Sequence, residues 1–316
     1  MAMSTSGPIS FADLRTETGI SGAISLGDGK VQDLIGRTSN IDMATARGKT
    51  SFFQFEIPSG TSRSFITTMA YDAGWQGTGD LFAVIGLGTV TSTIVTGSIL
   101  WGDITLLNIG TIVGKGGNGG GGLGGFVNSG TFSATVIIDG RDGFSGADGL
   151  VVNTPSTNRV QRLIRLNNLG GIYSGGGGGG GGDAIAAGTG AGDVDMVGGG
   201  GGGGGAGRLP GAGGAGGVVS VINGGGTAVN GNAGQLADQN NGGQGGNAGA
   251  MPRFGQFVGG RGGTGGNLGA GGAAGGANNA SPSWGYQGSG GPAGYAILGY
   301  SNLTVDRIGT TVGTLG

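Results

Sequence analysis

The chain has 316 residues and a net charge of −2, and only 10% of its residues are charged, so its composition gives no sign of nucleic-acid binding. It has no cysteine and no histidine, which excludes disulfides and thiolate metal sites and removes the commonest general base and metal ligand. We therefore expect no cofactor, no metal site and no enzymatic activity. The most apolar stretch, residues 81–101, is interrupted by glycines and rich in threonine, which predicts strands rather than insertion into a membrane.

Residues 1–60 predict a small N-terminal unit. Ser10 and Asp13 have the spacing of a capping box, which indicates a short helix, and residues 24–35 predict a second helical turn. The phenylalanines in residues 52–57 then predict an aromatic strand. Because so short a unit carries few apolar side chains, we expect it to complete its burial against a partner or against the rest of the chain.

Residues 61–170 predict a β-rich platform, because Thr, Val and Ile alternate in several short stretches. The clearest of these stretches are residues 88–95, 103–106 and 134–138. Alternation of this kind is typical of strands with one buried face, so this part of the chain is expected to hold the main sheet structure.

An internal repeat extends this pattern. Residues 104–117 align without gaps with residues 164–177, and residues 303–313 form a third copy. Each copy has an alternating strand, a corner that contains glycine and a second short strand, which predicts the rungs of a β-solenoid or strands stacked in one sheet. Glycine runs follow the first two copies. We therefore expect the glycine-rich region to begin at the platform, and residues 297–316 to return to it as a C-terminal strand.

Residues 171–296 predict a glycine-rich domain, since 57 of the 88 glycines lie from position 171 onward. A side chain occurs there at every third position, as at Arg261, Thr264 and Asn267. Period three is that of polyproline II geometry, which makes no internal hydrogen bonds and so needs partners on neighbouring chains. With glycine on two of three faces, such helices can approach closely. The pattern therefore predicts a sandwich of short polyglycine-II helices.

The uniform glycine runs 175–182 and 198–205 are expected to be the inner helices of this sandwich, and the runs with one side chain in three the outer ones. The alternative is a flexible linker, the usual state of glycine-rich segments. Order is favoured because segments of ordinary composition interrupt the runs. The expected fold is thus mainly β and irregular: a small N-terminal attachment unit, a β-sheet or solenoid-like platform and a polyglycine-II sandwich.

Several motifs together resemble the tail-tip and tail-fibre proteins of tailed bacteriophages, and the glycine-rich half resembles the receptor-recognising adhesins of T-even-like long tail fibres. The motifs lie in residues 9–15, 70–75, 106–114, 175–182 and 291–297. The resemblance implies a virion protein of the tail tip or fibre, made in the host cytoplasm. It implies attachment to other phage tail proteins through the N-terminal region. The other implied partner is a bacterial cell-surface receptor, either an outer-membrane protein or a surface glycan.

Binding is expected on the segments between the glycine runs, because aromatic side chains on loops pinned by glycine and proline give a large contact area at little entropic cost. The candidate receptor-binding residues are Met251, Arg253, Phe254, Phe257, Trp284, Tyr286, Asp193 and Asp195. Two alternatives stay open. The aromatic residues could cover the sides of the glycine helices, and the protein could be a structural tail-tip or baseplate component in which the glycine region is a spacer.

Two acidic pairs could carry other chemistry. Asp142 and Asp148 offer carboxylate oxygens that could act as ligands in a calcium-binding loop. The EF-hand spacing is absent, however, so a solvated turn is expected. Asp193 and Asp195 could act as paired carboxylates of a hydrolase, but such pairs in polar loops are usually only solvated. An ice-binding or silk-like protein is a third class, and the mixed side chains of the period-three runs do not favour it.

Overall fold

The computed structural model describes residues 3, 9–36, 39, 41–47, 49, 51–62, 64–97, 102–122, 124–128, 133–138, 141–153, 163–188, 194–222, 227–251, 257–277 and 287–316. Within these residues, no helix has the length and apolar character needed to cross a membrane. The fold is mainly β with few helices, as the sequence predicts.

The N-terminal unit contains two short α-helices, α1 (Phe11–Thr18) and α2 (Gly29–Ile35), and a 3-10 helix (Met43–Ala46). The capping box of α1 is confirmed: the Ser10 amide donates to the Asp13 carboxylate at 2.7 Å, and the Asp13 amide donates to the Ser10 hydroxyl at 3.2 Å. These helices enclose a small apolar cluster of their own, formed by Met3, Leu14, Val31, Leu34, Ile35 and Ala46.

The remaining helices are α3 (Ile66–Asp72) and a 3-10 helix (Tyr300–Asn302). The strands of the first half are β1 (Phe52–Glu56), β2 (Ser64–Phe65), β3 (Asp80–Ile85), β4 (Val90–Thr91), β5 (Ile94–Val95), β6 (Ile104–Asn108), β7 (Thr111–Val113), β8 (Gly124–Asn128), β9 (Ser133–Ile138), β10 (Leu150–Val151), β11 (Ile164–Asn168) and β12 (Gly171–Tyr173). Those of the second half are β13 (Ile185–Gly188), β14 (Val194–Val197), β15 (Val219–Ile222), β16 (Ala228–Val229), β17 (Ala250–Met251), β18 (Phe257–Val258), β19 (Tyr295–Leu298), β20 (Leu303–Arg307), β21 (Thr310–Val312) and β22 (Thr314–Leu315).

Three parallel sheets form the platform, with the strand orders β1-β3-β6-β11-β20, β2-β5-β10-β19-β22 and β21-β12-β7-β4. The chain visits them in a fixed sequence. A complete pass contributes one strand to the first sheet, then one to the third and then one to the second, as β20, β21 and β22 do. Successive passes stack in parallel, so the platform has the organisation of a solenoid.

The internal repeat is confirmed as stacked strands. Ile104 pairs with Ile164 and Ile164 with Leu303 in the first sheet, while Thr111 pairs with Gly171 in the third. Beyond the three copies found in the sequence, β3 and β4 form a further one on the other side of β6 and β7.

All three sheets face one apolar core, in which Leu81, Ile94, Leu106 and Ile172 are almost fully buried. A polar pair lies among them: the Asn108 side-chain amide donates to the Asn168 side-chain oxygen at 2.8 Å, across two stacked passes. Hydrogen-bonded asparagines at equivalent corners favour this register of neighbouring strands, because a one-residue slip would break the bond between two buried side chains.

Ten extended segments without helix or strand make up the glycine-rich part. We number them in chain order: segment 1 (114–122), 2 (141–149), 3 (174–183), 4 (198–206), 5 (209–217), 6 (230–237), 7 (241–249), 8 (259–267), 9 (270–276) and 10 (287–294). Segments 1 and 2 lie between β7 and β10, and segments 3 to 10 lie between β12 and β19. Both insertions therefore occupy the same corner of the platform, in successive passes.

Backbone hydrogen bonds join these segments sideways, with a repeat of three residues. In segment 3, Gly175, Gly178 and Gly181 donate to segment 2. Gly176, Gly179 and Gly182 donate to segment 4, and Gly177, Gly180 and Asp183 donate to segment 9. Segment 3 also accepts bonds from segments 1, 8 and 10, so it has six neighbours. Segment 4 is surrounded in the same way, by segments 1, 3, 5, 6, 7 and 8.

The distinction between inner and outer runs is confirmed by burial. Residues 175–182 and 198–205 are buried throughout. In segment 8, by contrast, Arg261, Thr264 and Asn267 are exposed, while the glycines between them are buried or half-buried. The uniform runs are free of side chains because neighbouring backbones pass them on every side.

Candidate functional site

The segments run back and forth between the platform and an opposite end, which we call the distal end. Short connections join them beside the platform, at residues 207–208, 238–240 and 268–269. Two contacts fix this position: the Arg208 amide donates to the Gly114 carbonyl at 3.1 Å, and the Gly269 amide donates to the Ser174 carbonyl at 3.1 Å. Gly114 and Ser174 directly follow β7 and β12, so these connections lie at the sheets.

The long connections between segments comprise residues 123–140, 184–197, 218–229, 250–258 and 277–286. The segment ends on either side of each of them lie at the distal end. Hydrogen bonds place the segment ends beneath them at one level, since Gly181 donates to Arg141 at 3.0 Å and Gly260 donates to Asp183 at 2.7 Å. Sequence reasoning left open which connections share an end. It also assigned residues 134–138 to the platform region, whereas β9 pairs with β8 at the distal end.

The distal connections carry sheets of their own, with the strand orders β15-β8-β9, β13-β14-β16 and β17-β18. β15 pairs in parallel with β8, and β14 pairs in parallel with β16, although each pair comes from connections far apart in the sequence. β14 also contacts β8 and β15. Three of the five connections are therefore joined into one surface by backbone pairing and contact.

The predicted receptor-binding residues fall on three of these connections. Met251 and Phe257 are directly opposed in the β17–β18 hairpin, and Asp195 is opposed to Ala187 in the β13–β14 hairpin. The others, Arg253, Phe254, Trp284, Tyr286 and Asp193, lie outside the described residues. The described residues that flank the two aromatic segments in the chain, 250–251 and 257–258 for one and 277 and 287 for the other, lie at the distal end. Residues 235–241, which also lie between two glycine runs, are beside the platform instead.

Asp183 is a residue of this end that sequence reasoning did not single out as a site. It ends the central segment 3, it is only 2% exposed, and burial raises the pKa of its carboxyl to about 6. A hydrogen bond from the Ala184 backbone acts in the opposite direction. Its position directly after a uniform glycine run is the signal that could have identified it, because such runs are buried.

Asp142 and Asp148 have a structural role. The Asp142 carboxylate accepts from the Ser289 amide at 2.6 Å, and the Asp148 carboxylate accepts from the Tyr295 amide at 2.7 Å. Each bond ties segment 2 to segment 10 or to β19, which lie far along the chain. In the part of the chain that the structure describes, no three acidic side chains come together as a metal site would require.

No family model matches the sequence, and no curated protein matches it either. Among solved structures, the chain is similar to the one described as the crystal structure of the gp37-gp38 adhesin tip complex of the bacteriophage S16 long tail fiber. The match covers 99% of this chain and 100% of that chain, with 22% sequence identity and a TM-score of 0.45. A similarity of this strength assigns no function by itself.

Proposed function

We propose that this protein is a phage tail-tip adhesin that binds a host cell-surface receptor through loops projecting from a rigid polyglycine-II sandwich. The observation that carries the proposal is that the segment ends flanking every long connection between segments lie at the distal end, opposite the platform. Binding residues are commonly found on loops that a rigid scaffold holds in position. The sequence resemblance to tail-fibre adhesins supports the same function.

The hydrogen-bond repeat supports the polyglycine-II geometry. In segments 3 and 4, every third amide donates to the same neighbour, as expected for a helix with three residues per turn. A segment of nine residues would then be about 28 Å long, at a rise of about 3.1 Å per residue. The neighbour relations correspond to three layers, made of segments 2-1-5, then 10-3-4-6, then 9-8-7.

The rigidity of the segments favours binding by the connections at the distal end. Each buried segment is held by backbone bonds to several neighbours, so the distal connections start from fixed positions. Loops held in this way lose less conformational entropy when they bind, which leaves more of the contact energy for affinity. Aromatic anchors such as Phe254 and Trp284 would contribute most of that energy.

The platform end supports a proposal for attachment. We assign residues 1–60 to attachment to other phage tail proteins, residues 61–170 to the platform except for segments 1 and 2 and β8–β9, which belong to the glycine bundle and its distal end, residues 171–296 to receptor binding and residues 297–316 to the strand that returns to the platform. The separate apolar cluster of α1 and α2 agrees with a distinct N-terminal unit. The protein would be located in the virion, at the tail tip or fibre.

The test is adsorption of phage to host cells when Phe254→Ala and Trp284→Ala are combined in protein shown to be folded. We expect a large loss of adsorption, because truncating an aromatic anchor costs about 2 kcal/mol or more of binding. Leu236→Ala is the matched control, since Leu236 is a 67% exposed apolar side chain beside the platform. Normal adsorption of the double variant would place the receptor site elsewhere, or favour a spacer role for the glycine region.

A further inference from the structure

One side of the bundle carries an exposed aromatic ring between two cations. We call the outward surface of segments 1 and 2 the lateral face. Phe144 is 62% exposed there, and Lys115, Asn118 and Arg141 are exposed as well. The segments are antiparallel, since the Phe144 amide donates to the Asn118 carbonyl at 2.8 Å and the Ala147 amide to the Lys115 carbonyl at 2.7 Å. The ring therefore lies beside Asn118, with Arg141 one turn towards the distal end and Lys115 one turn towards the platform.

A shallow groove runs along this face between the two segments. It is lined by Lys115, Gly116, Gly117, Asn118, Phe144, Ser145, Gly146 and Ala147. The backbones of the two segments form its floor, and its three glycines are buried. The amides of Lys115 and Asn118 form no hydrogen bond within the described part of the chain, although those of the adjacent Gly116 and Gly117 do. Backbone amides that remain available as hydrogen-bond donors thus recur at every third residue of segment 1, along the groove.

Segments 1 and 2 carry two cations, Lys115 and Arg141, and two carboxylates, Asp142 and Asp148, so their formal net charge is zero (2 − 2). Lys115 and Arg141 form no ion pair with any residue that the structure describes. The carboxylates are directed towards segment 10 and β19, because Asp142 accepts from Ser289 and Asp148 accepts from Tyr295. Lys115 lines the groove, so its border beside segment 1 is positive although the two segments together are neutral.

We propose that the lateral face binds an anionic polysaccharide, at a site separate from the distal loops. The exposed face of Phe144 stacks on the apolar side of a sugar ring, and the outward amides donate to its oxygens. Lys115 and Arg141, each about 9 Å from the ring along the segments, neutralise acidic substituents on the neighbouring sugars. A second copy of this chain is a poorer fit, because the opposite side of the bundle presents Arg261, Thr264 and Asn267, which carry no negative charge.

The test is binding of three polymers to the purified full-length protein: dextran sulfate, neutral dextran and inorganic polyphosphate. We expect dextran sulfate to bind more tightly than either of the others, since it alone combines sugar rings with negative charge. Phe144→Ala should weaken its binding at least about tenfold. Lys115→Gln with Arg141→Gln should weaken it similarly and reduce its dependence on salt.

Two controls separate the lateral face from the distal loops and from a general attraction of polyanions to exposed cations. Arg261→Gln removes an exposed cation from the opposite side of the bundle and should leave dextran sulfate binding unchanged. The combined Phe254→Ala and Trp284→Ala variant should also bind dextran sulfate normally, even though it loses adsorption to cells. The proposal is overturned if the protein does not bind dextran sulfate, or if polyphosphate binds as tightly as dextran sulfate. It is also overturned if Phe144→Ala and Arg261→Gln weaken dextran sulfate binding equally while both variants keep the wild-type melting temperature.

Discussion

Gly201→Ala should destabilise the protein strongly, although it adds only one methyl group. A Cβ at Gly201 would lie 2.1 Å from the Gly214 carbonyl oxygen and 2.6 Å from that of Ala215, both backbone atoms of segment 5. Ordinary contact begins at 3.4 Å, so the neighbouring segment would have to move by about 1.3 Å (3.4 − 2.1). Segments packed through their backbones have no side chain that could turn aside.

The cost follows from the hydrogen bonds that such a movement would break. Segment 5 is held to segment 4 by the amides of Gly211, Gly214 and Gly217, at donor–acceptor distances of 2.9, 2.8 and 2.8 Å. Each buried group left without a partner costs about 1–3 kcal/mol, so three bonds amount to about 3–9 kcal/mol. The gain from a less flexible unfolded chain is only about 0.4–1 kcal/mol. The loss is comparable with the whole stability of a typical domain, about 5–15 kcal/mol.

Gly121→Ala is the matched control for thermal unfolding. Gly121 lies in segment 1, and the nearest atom to its added Cβ would be the Ala215 carbonyl oxygen at 3.8 Å, which is ordinary contact. We therefore expect Gly121→Ala to melt at the wild-type temperature or slightly above it, and Gly201→Ala to melt far lower or fail to fold. Equal melting temperatures for the two variants would refute the close backbone packing on which the argument rests.

Three further outcomes are expected. Amides of residues 198–205 should be strongly protected in hydrogen exchange, because almost all of them donate to neighbouring segments, and exchange at the rate of an unstructured peptide would contradict the bundle. Burial raises the pKa of Asp183 to about 6, so the folded protein keeps a proton that the unfolded chain releases above 3.8. The contribution of Asp183 to stability is therefore present at low pH and is lost as the pH rises through 6. Asp183→Asn should remove this pH dependence from the free energy of unfolding measured by chemical denaturation. An unchanged pH profile in the variant would contradict the assignment. Asn267→Ala should cost about 1 kcal/mol, since the Asn267 side chain accepts from the Gly242 amide, whereas Thr264→Ala should melt close to wild type.

The inner and outer segments could be predicted from the glycine pattern, because a segment surrounded by other backbones has no room for side chains. A residue with a side chain cannot occupy 175–182 or 198–205, so those runs are uniform. The side chains of Arg261, Thr264 and Asn267 likewise mark the one open direction of segment 8. The order in which the segments pack could not be predicted, since neighbouring backbones are recognised by amides and carbonyls that every residue has.

The repeat was predictable only where its corners have equal length. Ile104 and Thr111 are seven positions apart, and so are Ile164 and Gly171, which allowed a gapless alignment. In the missed copy, Leu81 pairs with Ile104 but Val90 pairs with Thr111, so the corner is two residues longer. Ile85 also occupies the position of Asn108. Without the asparagine and with a longer corner, this copy cannot be recognised by alternation alone.

The sequence predicts binding loops from proline, glycine and aromatic residues, but it does not predict which of them share an end of the bundle. The structure brings the segment ends that flank these loops to one end. Which end each connection occupies depends on how many segments precede it, and the short connections at residues 207–208 and 268–269 add segments to that count. Segments 1 and 2 lie outside residues 171–296, where the sequence predicts the glycine-rich domain. Their mixed composition, with Arg141, Asp142, Phe144, Ser145 and Asp148 among the glycines, concealed segment 2 from the sequence analysis.

The shared corner at which both glycine insertions leave the platform has a consequence for biosynthesis. β11 ends at Asn168, yet its neighbour β20 begins at Leu303, so the ribosome must make all of segments 3 to 10 before the first sheet can gain its last strand. Until then, the growing chain exposes the edges of β11 and β12 and a set of glycine segments whose amides lack partners. Pairings this distant in sequence form slowly and leave unpaired strand edges open to aggregation. The completed fold is therefore reached only after residues 303–316 have been made, when β20, β21 and β22 join the three sheets.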